Sequence, residues 1–224
     1  MSINLYNMDC MEALKDMPDN AYELAIVDPP YGIGEDGGTN GSRGKLAKSK
    51  VYKAKGWDNS PPSHKYFDEL FRVSKNVIIW GANHFLWNML VSAPTIGFLN
   101  SHCWIVWDKD NGATDFADCE LAFTSFETAV RKFTWKWQGM LQQDMKNKEI
   151  RIHPTQKPVK LYEWLLINYA KEGYKILDTH LGSGSIAIAC HNLGYDLDGY
   201  ELDKEYYDAA CKRLKQHQAQ LTIF

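Results

Sequence analysis

Three segments of the 224-residue chain carry side chains that could do chemistry, and each lies at the end of a predicted strand. Asp28-Pro29-Pro30-Tyr31 follows the strand predicted at residues 22–27. Residues 178–185 and Glu201 lie at the ends of two later predicted strands. Because ligands of open α/β sheets bind at the carboxyl ends of the strands, we expect the three segments to form one site.

The first segment suits a planar ring that bears an amino group. Its two prolines fix the backbone and remove two N–H donors, which leaves carbonyl groups free to accept hydrogen bonds. Asp28 and the Pro29 carbonyl can each accept from an exocyclic amine, while Tyr31 can stack on the ring. A purely structural turn is the alternative, because Pro-Pro is common in loops.

The second and third segments together predict a site for a nucleoside-bearing cofactor. Asp178-Thr179-His180-Leu181-Gly182-Ser183-Gly184-Ser185 places a carboxylate and two glycines between a strand and a helix. Glycines allow close backbone approach, and a helix N-terminus attracts a carboxylate. Glu201 follows roughly 20 residues later, where an acidic residue typically binds ribose hydroxyls. Each segment taken alone has a structural alternative: residues 178–185 could be an ordinary tight turn between a strand and a helix, and Glu201 a surface glutamate at a strand end.

The elements that must position these residues alternate between strands and helices. This order predicts a single α/β domain with a doubly wound, mostly parallel sheet. Further strands are predicted at residues 76–80, 103–107 and 119–124. The predicted helices begin at Ser63, near His84, at Pro158, after Gly184 and at Asp203, and Gly194 is expected to end the fourth of them.

Composition restricts the function classes. No apolar run approaches the ~18 residues of a membrane helix, and the start lacks a secretory signal, so a cytoplasmic protein with no membrane partner is expected. The five cysteines are irregularly spaced and interpreted as reduced thiols, and the histidines show no metal-binding spacing. The net charge of −3 requires any nucleic-acid partner to meet a local basic face.

Two regions depart from the regular alternation. Residues 32–62 are rich in Gly, Ser and Asn, and we interpret them as a mobile basic loop. Residues 108–150 are polar and aromatic with a mixed pattern. The basic side chains that could contact phosphates are Arg43, Lys45, Lys48, Lys50, Lys53, Lys55, Arg131, Lys132, Lys136, Lys146, Lys148 and Arg151. A solvated charge run is the alternative for each set.

A family resemblance rests on three motifs. Asp28-Pro29-Pro30-Tyr31, then His153-Pro154-Thr155-Gln156-Lys157-Pro158, then residues 178–185, resembles the amino-methyltransferases of DNA. The order, with the tetrapeptide first and the cofactor loop last, resembles the β group of that family. The resemblance covers residues 6–213. Leu181 departs from the pattern, because the family usually has Phe or Met there, and we expect a change of packing beside the cofactor.

The resemblance implies S-adenosylmethionine as the cofactor. Family members hold its methionine part with the residues matching Asp178 and the glycine loop, and its ribose with the match to Glu201. The implied cofactor site comprises Asp9, Cys10, Asp28, Thr155, Lys157, Asp178, Leu181, Gly182, Ser183, Gly184, Ser185 and Glu201, with no metal. Thr155 could instead cap a helix, and Asp9-x-x-Glu12 also looks like a capping box.

The resemblance further implies a fold and a reaction. The fold is a circularly permuted Rossmann-like methyltransferase domain, in which the last helix leads back to the strand at residues 3–6. Asp28, Pro29, Pro30 and Tyr31 would be catalytic, in methyl transfer to the N6 amine of an adenine flipped out of double-stranded DNA. Residues 108–150 match the place of the sequence-reading region. Because β-group relatives often dimerise, a homodimer is one expected assembly.

Three alternatives remain open at this point. An N4-cytosine methyltransferase is the nearest, although Asp28 favours adenine because that group more often has Ser before Pro-Pro-Tyr. A non-catalytic DNA-binding protein could keep the same fold. Methyltransferases that act on protein glutamine or on RNA resemble Asn-Pro-Pro-Tyr enzymes with the opposite motif order.

Overall fold

A computed structural model describes residues 1–37, 52–92, 103–112, 117–138 and 141–221 of the chain. Its elements, in chain order, are β1 Ile3–Tyr6, α1 Cys10–Leu14, β2 Leu24–Val27, α2 His64–Val73, β3 Val77–Trp80, a 3₁₀ turn Ala82–His84, α3 Leu86–Leu90, β4 Trp104–Asp108, β5 Cys119–Thr124, β6 Arg131–Thr134, β7 Trp137–Gln138, β8 Leu141–Gln142, α4 Val159–Tyr169, β9 Lys175–Asp178, α5 Ser185–Leu193, β10 Asp196–Tyr200 and α6 Lys204–Leu221.

Eight of these strands form one sheet, in the order β1-β10-β9-β2-β3-β5-β4-β6. The first five are mutually parallel, so the predicted mostly parallel α/β sheet is confirmed. The first strand of the chain pairs with the last one, and α6 packs back on β1 through a hydrogen bond from the Tyr207 hydroxyl to the Leu5 carbonyl. This is the connection that the predicted circular permutation requires.

One central strand runs against the others. β5 is antiparallel to both β3 and β4, so its first residues lie at the edge where the parallel strands end. Cys119 pairs with Asp108, the last residue of β4. β5 and β6 both belong to the main sheet although they fall within residues 108–150. The sequence-reading role predicted for that region stays a prediction.

The sheet is buried on both faces, which explains the continuous apolar runs of its central strands. Successive residues of β2 alternate between faces. Leu24 and Ile26 pack in the cluster that includes α4 and α5, whereas Ala25 and Val27 pack in the cluster that includes α1 and α2. The strand ends are thereby held rigidly beneath the loops that follow them.

Helix ends follow local chemistry. Asp9 caps α1 by accepting the Met11 N–H at 2.9 Å, which confirms the capping interpretation of that residue. Asp203 caps α6 by accepting the N–H groups of Glu205 and Tyr206 at 3.0 Å. Gly194 ends α5 with φ +80°, as predicted. Ser63 precedes α2 without a side-chain capping bond, and the helix predicted near His84 is a 3₁₀ turn followed by the short α3.

The base of the long basic loop is closed by two buried aspartates. Asp58 accepts the N–H groups of Gly32 and Glu35, each at 2.8 Å, and Asp36 accepts that of Lys55 at 2.9 Å. Their exposed fractions are only 2% and 6%. We call residues 32–36 and 52–58 the neck of the loop. It fixes where the loop leaves and re-enters the domain.

Within the described ranges, no helix is both long and apolar enough to cross a membrane.

Candidate active site

The three predicted segments meet at one edge of the sheet. Asp178 ends β9, Asp28 follows β2 next to it, and Glu201 follows β10 on the other side of β9. Parallel pairing of β10, β9 and β2 brings the three carboxylates to neighbouring strand ends. The sequence-based expectation of one shared edge is therefore confirmed.

Asp28 is engaged on both carboxylate oxygens. The Tyr31 hydroxyl donates to Oδ1 at 2.8 Å, and the Lys157 ammonium donates to Oδ2 at 2.6 Å. The side chain is 17% exposed, so it lies near the surface of a largely enclosed site. Burial raises the pKa of Asp28, while the Lys157 charge opposes that rise. Pro29 is buried beside it.

Lys157 connects Asp28 to a second carboxylate. Its side chain is only 2% exposed, and Nζ lies 3.0 Å from Oε2 of Glu120. The other oxygen of Glu120 pairs with Lys109 at 2.6 Å. Burial disfavours the charged form of Glu120, but Lys157 and Lys109 outweigh it and lower its pKa to about 2. Burial likewise disfavours the Lys157 ammonium, and the carboxylates of Asp28 and Glu120 raise its pKa.

The ring of Tyr31 is held by the turn after β3. His84 stacks on it with a centroid separation of 4.9 Å and an interplanar angle of 13°. Gly81 lies against the ring so closely that an added Cβ would fall 2.0 Å from Cε1 of Tyr31. Gly81 also has φ +70°, a conformation that favours glycine. The turn therefore shapes a flat aromatic surface beside Asp28.

The glycine loop presents a buried carboxylate. Oδ1 of Asp178 accepts the His180 N–H at 3.0 Å, and within the described residues no hydrogen bond reaches Oδ2. Burial raises the pKa of Asp178 to about 8, and the Asp28 charge adds to the rise. Gly184 has φ +70°, and its Cα faces Ala210, whose Cβ would lie 3.1 Å from an added side chain. The loop thus depends on glycine to pass under α6.

Glu201 is joined to the same loop. Its Oε2 accepts the Gly182 N–H, and its Oε1 accepts the Asp203 N–H, each at 2.8 Å. Burial raises the pKa of Glu201. Leu181 is buried, donates its N–H to the Tyr200 carbonyl at 2.8 Å and packs against Gly199. The carboxylate therefore fixes the glycine loop to the start of the segment that follows β10.

The serines of the loop point into the protein. Ser183 and Ser185 are buried, and their hydroxyls lie 3.0 Å apart. Ser185 donates to the backbone carbonyl of Lys157 at 2.7 Å, so the loop is tied to the segment that supplies the lysine. Arg213 reinforces this contact from α6 through the Ser185 hydroxyl at 2.9 Å. Their backbone, and not their hydroxyls, remains for a ligand.

The remaining predicted cofactor residues lie on two flanking segments. Asp9 is exposed and caps α1, while Cys10 is buried and its pKa is raised to about 12 by burial and by Asp9. Asn7 brings this segment to Glu201 by donating to its backbone carbonyl at 2.8 Å. Thr155 is exposed, and its hydroxyl oxygen lies 3.1 Å from Nδ1 of His153. Thr155 does not cap α4, because Pro158 holds that position.

Sequence reasoning missed three residues of this site, namely Glu120, Lys109 and His84. Glu120 had a usable signal, because it is a charged residue in the otherwise apolar predicted strand 119–124. Lys109 and His84 had none, since each depends on which strands become neighbours.

The basic residues divide into paired and exposed ones. Lys55 binds Asp203 and Glu205 at 2.7 Å each, which seats the neck on the start of α6. Lys132 and Lys136 pair with Asp108 and Asp110 at 3.2 and 3.0 Å. The exposed members include Lys53, Arg131, Lys146 and Lys148. Arg43, Lys45, Lys48 and Lys50, and the middle of the predicted mobile loop, lie outside the described residues.

Comparisons with known proteins show which family the chain resembles. Residues 124–212 match the family model described as DNA methylase (N6_N4_Mtase). Type II methyltransferase M2.DpnII of Streptococcus pneumoniae is 29% identical over 94% of this chain and 89% of its own length.

Two solved structures share the fold. The M1.HpyAVI–SAM complex is 22% identical, with a TM-score of 0.60 over 95% of this chain and 100% of its own. The PvuII DNA methyltransferase, described as cytosine-N4-specific, is 12% identical, with a TM-score of 0.60 over 99% and 93% of the two chains. The predicted Rossmann-like fold class is confirmed by these likenesses.

Proposed function

We propose, from the confirmed resemblance of this chain to the amino-methyltransferases of DNA, that it transfers a methyl group to the N6 amine of adenine in double-stranded DNA. The observation that carries the proposal is the position of Asp28. Its carboxylate already accepts hydrogen bonds from a nitrogen cation at 2.6 Å, at the strand edge next to Asp178. Relatives named type II methyltransferases support a role within a restriction-modification system.

The cofactor proposed for this reaction is S-adenosylmethionine, which supplies a methyl group on a positively charged sulfur. The residues present fit it. Asp178 is a buried carboxylate without a cationic partner among the described residues, and an α-ammonium group would provide one. Glu201 keeps lone pairs for ribose hydroxyls beyond the two that accept backbone N–H groups.

The chain's own residues account for activation of the amine. The lone pair of an adenine amine is delocalised into the ring, so the amine is a poor nucleophile. Asp28 and the Pro29 carbonyl accept hydrogen bonds from its two N–H groups and favour tetrahedral nitrogen. With the methyl donor bound, a new N–C bond would form as the C–S bond breaks, and the nitrogen would become positively charged. Asp28 stabilises that charge and accepts the proton that the nitrogen then loses.

Tyr31 and the basic residues position the DNA. Tyr31, whose ring packs on the Gly81 turn and stacks on His84, lies beside Asp28 at the place that a flipped base would enter, and extrusion of the base costs a few kcal/mol. The exposed basic residues Lys53, Arg131, Lys146 and Lys148 are available for phosphates. The choice of adenine over cytosine rests on Asp28 in the tetrapeptide.

The test is to express the chain in a host that lacks DNA methylation and to analyse its DNA for N6-methyladenine and N4-methylcytosine. We expect N6-methyladenine at one sequence context. N4-methylcytosine instead would move the proposal to the cytosine group, and no methylated base in DNA from cells with folded protein would favour a non-catalytic DNA-binding role.

The matched variant is Asp28→Ala. It should reduce turnover by ~100-fold or more, since positioned hydrogen-bond acceptors and donors contribute on that scale. Its cofactor affinity should stay within a few-fold of wild type, because Asp28 faces the amine. Turnover above about a tenth of wild type would contradict the assigned role.

A further inference from the structure

The acceptor needed by the substrate amine is occupied by the protein itself. Oδ2 of Asp28 holds the Lys157 ammonium at 2.6 Å, and Oδ1 holds the Tyr31 hydroxyl at 2.8 Å. The ammonium is thus a nitrogen donor placed where a substrate amine would donate. A base that enters must compete with it for Asp28.

A buried ammonium cannot simply give up its partner. Lys157 is 2% exposed, so losing Asp28 without replacement would leave an uncompensated buried charge, which is strongly destabilising. Glu120 supplies the replacement, because its Oε2 already lies 3.0 Å from the same ammonium. Only a small movement is needed to pass from a shared position to one centred on Glu120.

Resting on the function proposed above, we propose that Glu120 is a positioning residue that takes over the Lys157 ammonium when the target amine binds Asp28. The exchange breaks and forms hydrogen bonds only. With Lys157 paired to Glu120, the charge of Asp28 is left for the cation that develops on the amine. Without Glu120, the ammonium stays on Asp28 and cancels that charge.

The rest of the fold supports this role. Glu120 is the second residue of β5. Because β5 is antiparallel to β3, the beginning of β5 lies at the same sheet edge as Asp28, whereas the beginning of a parallel strand would lie at the opposite edge. Lys109 holds the other oxygen of Glu120 at 2.6 Å, which keeps the glutamate ionised and leaves Oε2 directed to Lys157.

The first experiment compares Glu120→Gln with Glu127→Gln, a control of equal charge change at an exposed residue. Methyl transfer to unmethylated genomic DNA is measured with a radiolabelled methyl donor, and cofactor affinity by calorimetry. We expect kcat/KM for DNA to fall at least 100-fold in Glu120→Gln, with cofactor affinity within threefold. The control should match wild type, and Glu120→Asp should restore part of the activity.

The second experiment separates this role from a structural one. If the ammonium blocks Asp28 once Glu120 is neutral, removing it should help, so Glu120→Gln/Lys157→Met should be at least tenfold more active than Glu120→Gln alone. Glu120→Gln activity within threefold of wild type would overturn the proposal, as would a folded double variant that is no more active than the single one when the methyl donor is saturating. A wild-type protein inactive on all DNA would overturn the proposed function, and the role of Glu120 with it.

Discussion

Cofactor affinity should depend on pH through Asp178, whose pKa is raised to about 8 by burial in the free protein. An ammonium group beside a carboxylate lowers its pKa by roughly 1–3 units. Between the lowered pKa of the complex and pH 8, the free carboxyl is protonated and the bound one is ionised, so binding releases a proton. Affinity then falls as pH falls, by up to about tenfold, or ~1.4 kcal/mol, per pH unit. The α-amino group of the ligand titrates near pH 8, so affinity should also fall above that value.

Calorimetry with S-adenosylhomocysteine at pH 6, 7 and 8 tests this directly. Each titration is done in two buffers with different ionisation enthalpies, and the difference gives the number of protons released. Wild type should release about 0.4–0.9 of a proton at pH 7, the range given by lowering a pKa of about 8 by 1–3 units, and Asp178→Asn should bind weakly at every pH and release none. Wild-type affinity that is flat between pH 6 and 8 would refute the reasoning.

The same carboxyl predicts a change in stability of the cofactor-free protein. Because its pKa is raised on folding, the native state binds more protons than the unfolded state between about pH 4 and pH 8, and stability falls as pH rises through that window. Asp178→Asn removes this dependence. Its melting temperature should exceed that of wild type at pH 8 and approach it near pH 4, and a variant that melts lower at pH 8 would contradict the sign.

Three further perturbations follow from the same contacts. Glu201→Ala removes the acceptors for ribose and for the Gly182 N–H. Cofactor affinity should therefore fall roughly 10–100-fold, from the usual loss of 1.5–3 kcal/mol for a charged hydrogen bond, while DNA binding measured by anisotropy should not change. Unchanged cofactor affinity in calorimetry would contradict this prediction. Gly81→Ala introduces a Cβ 2.0 Å from Tyr31, so methyl transfer should be lost in a protein that still binds cofactor, and normal turnover would show that the ring position is unimportant. Replacing Lys48, Lys50 and Lys53 by Ala should weaken binding to all DNA sequences alike and flatten the dependence of affinity on salt. Lys55→Ala should instead loosen the attachment of the neck to α6, because that lysine binds Asp203. An unchanged salt dependence in the triple variant would leave a solvated charge run as the interpretation.

Sequence reasoning succeeded where a motif and its strand are contiguous. Asp28, Asp178 and Glu201 each lie at the end of a strand that the sequence predicts, and a parallel sheet brings such ends to one edge. The caps of α1 and α6 were likewise local, since Asp9 and Asp203 bond to N–H groups two or three residues away.

The rest depends on contacts between residues distant in the chain. Lys157 was assigned to the cofactor pocket from its motif, and that assignment stays a prediction, but its ammonium lies on Asp28, 129 residues earlier. Glu120 reaches the site only because β5 is antiparallel, and no local pattern shows strand direction. The basic loop looked uniform, yet the structure separates Lys55, which is paired, from Lys53, which is exposed.

The neck makes the segment between its two parts a place where the chain can be changed in length and composition. Asp36 and Asp58 hold the neck from inside the domain, so the chain positions at residues 37 and 52 are fixed by the described part of the protein. Once the ends are fixed, doubling the length of a flexible segment costs only about 0.6 kcal/mol in closure entropy. We therefore expect that segments of other lengths and charges can be grafted between residues 37 and 52 while the fold beneath the neck is kept.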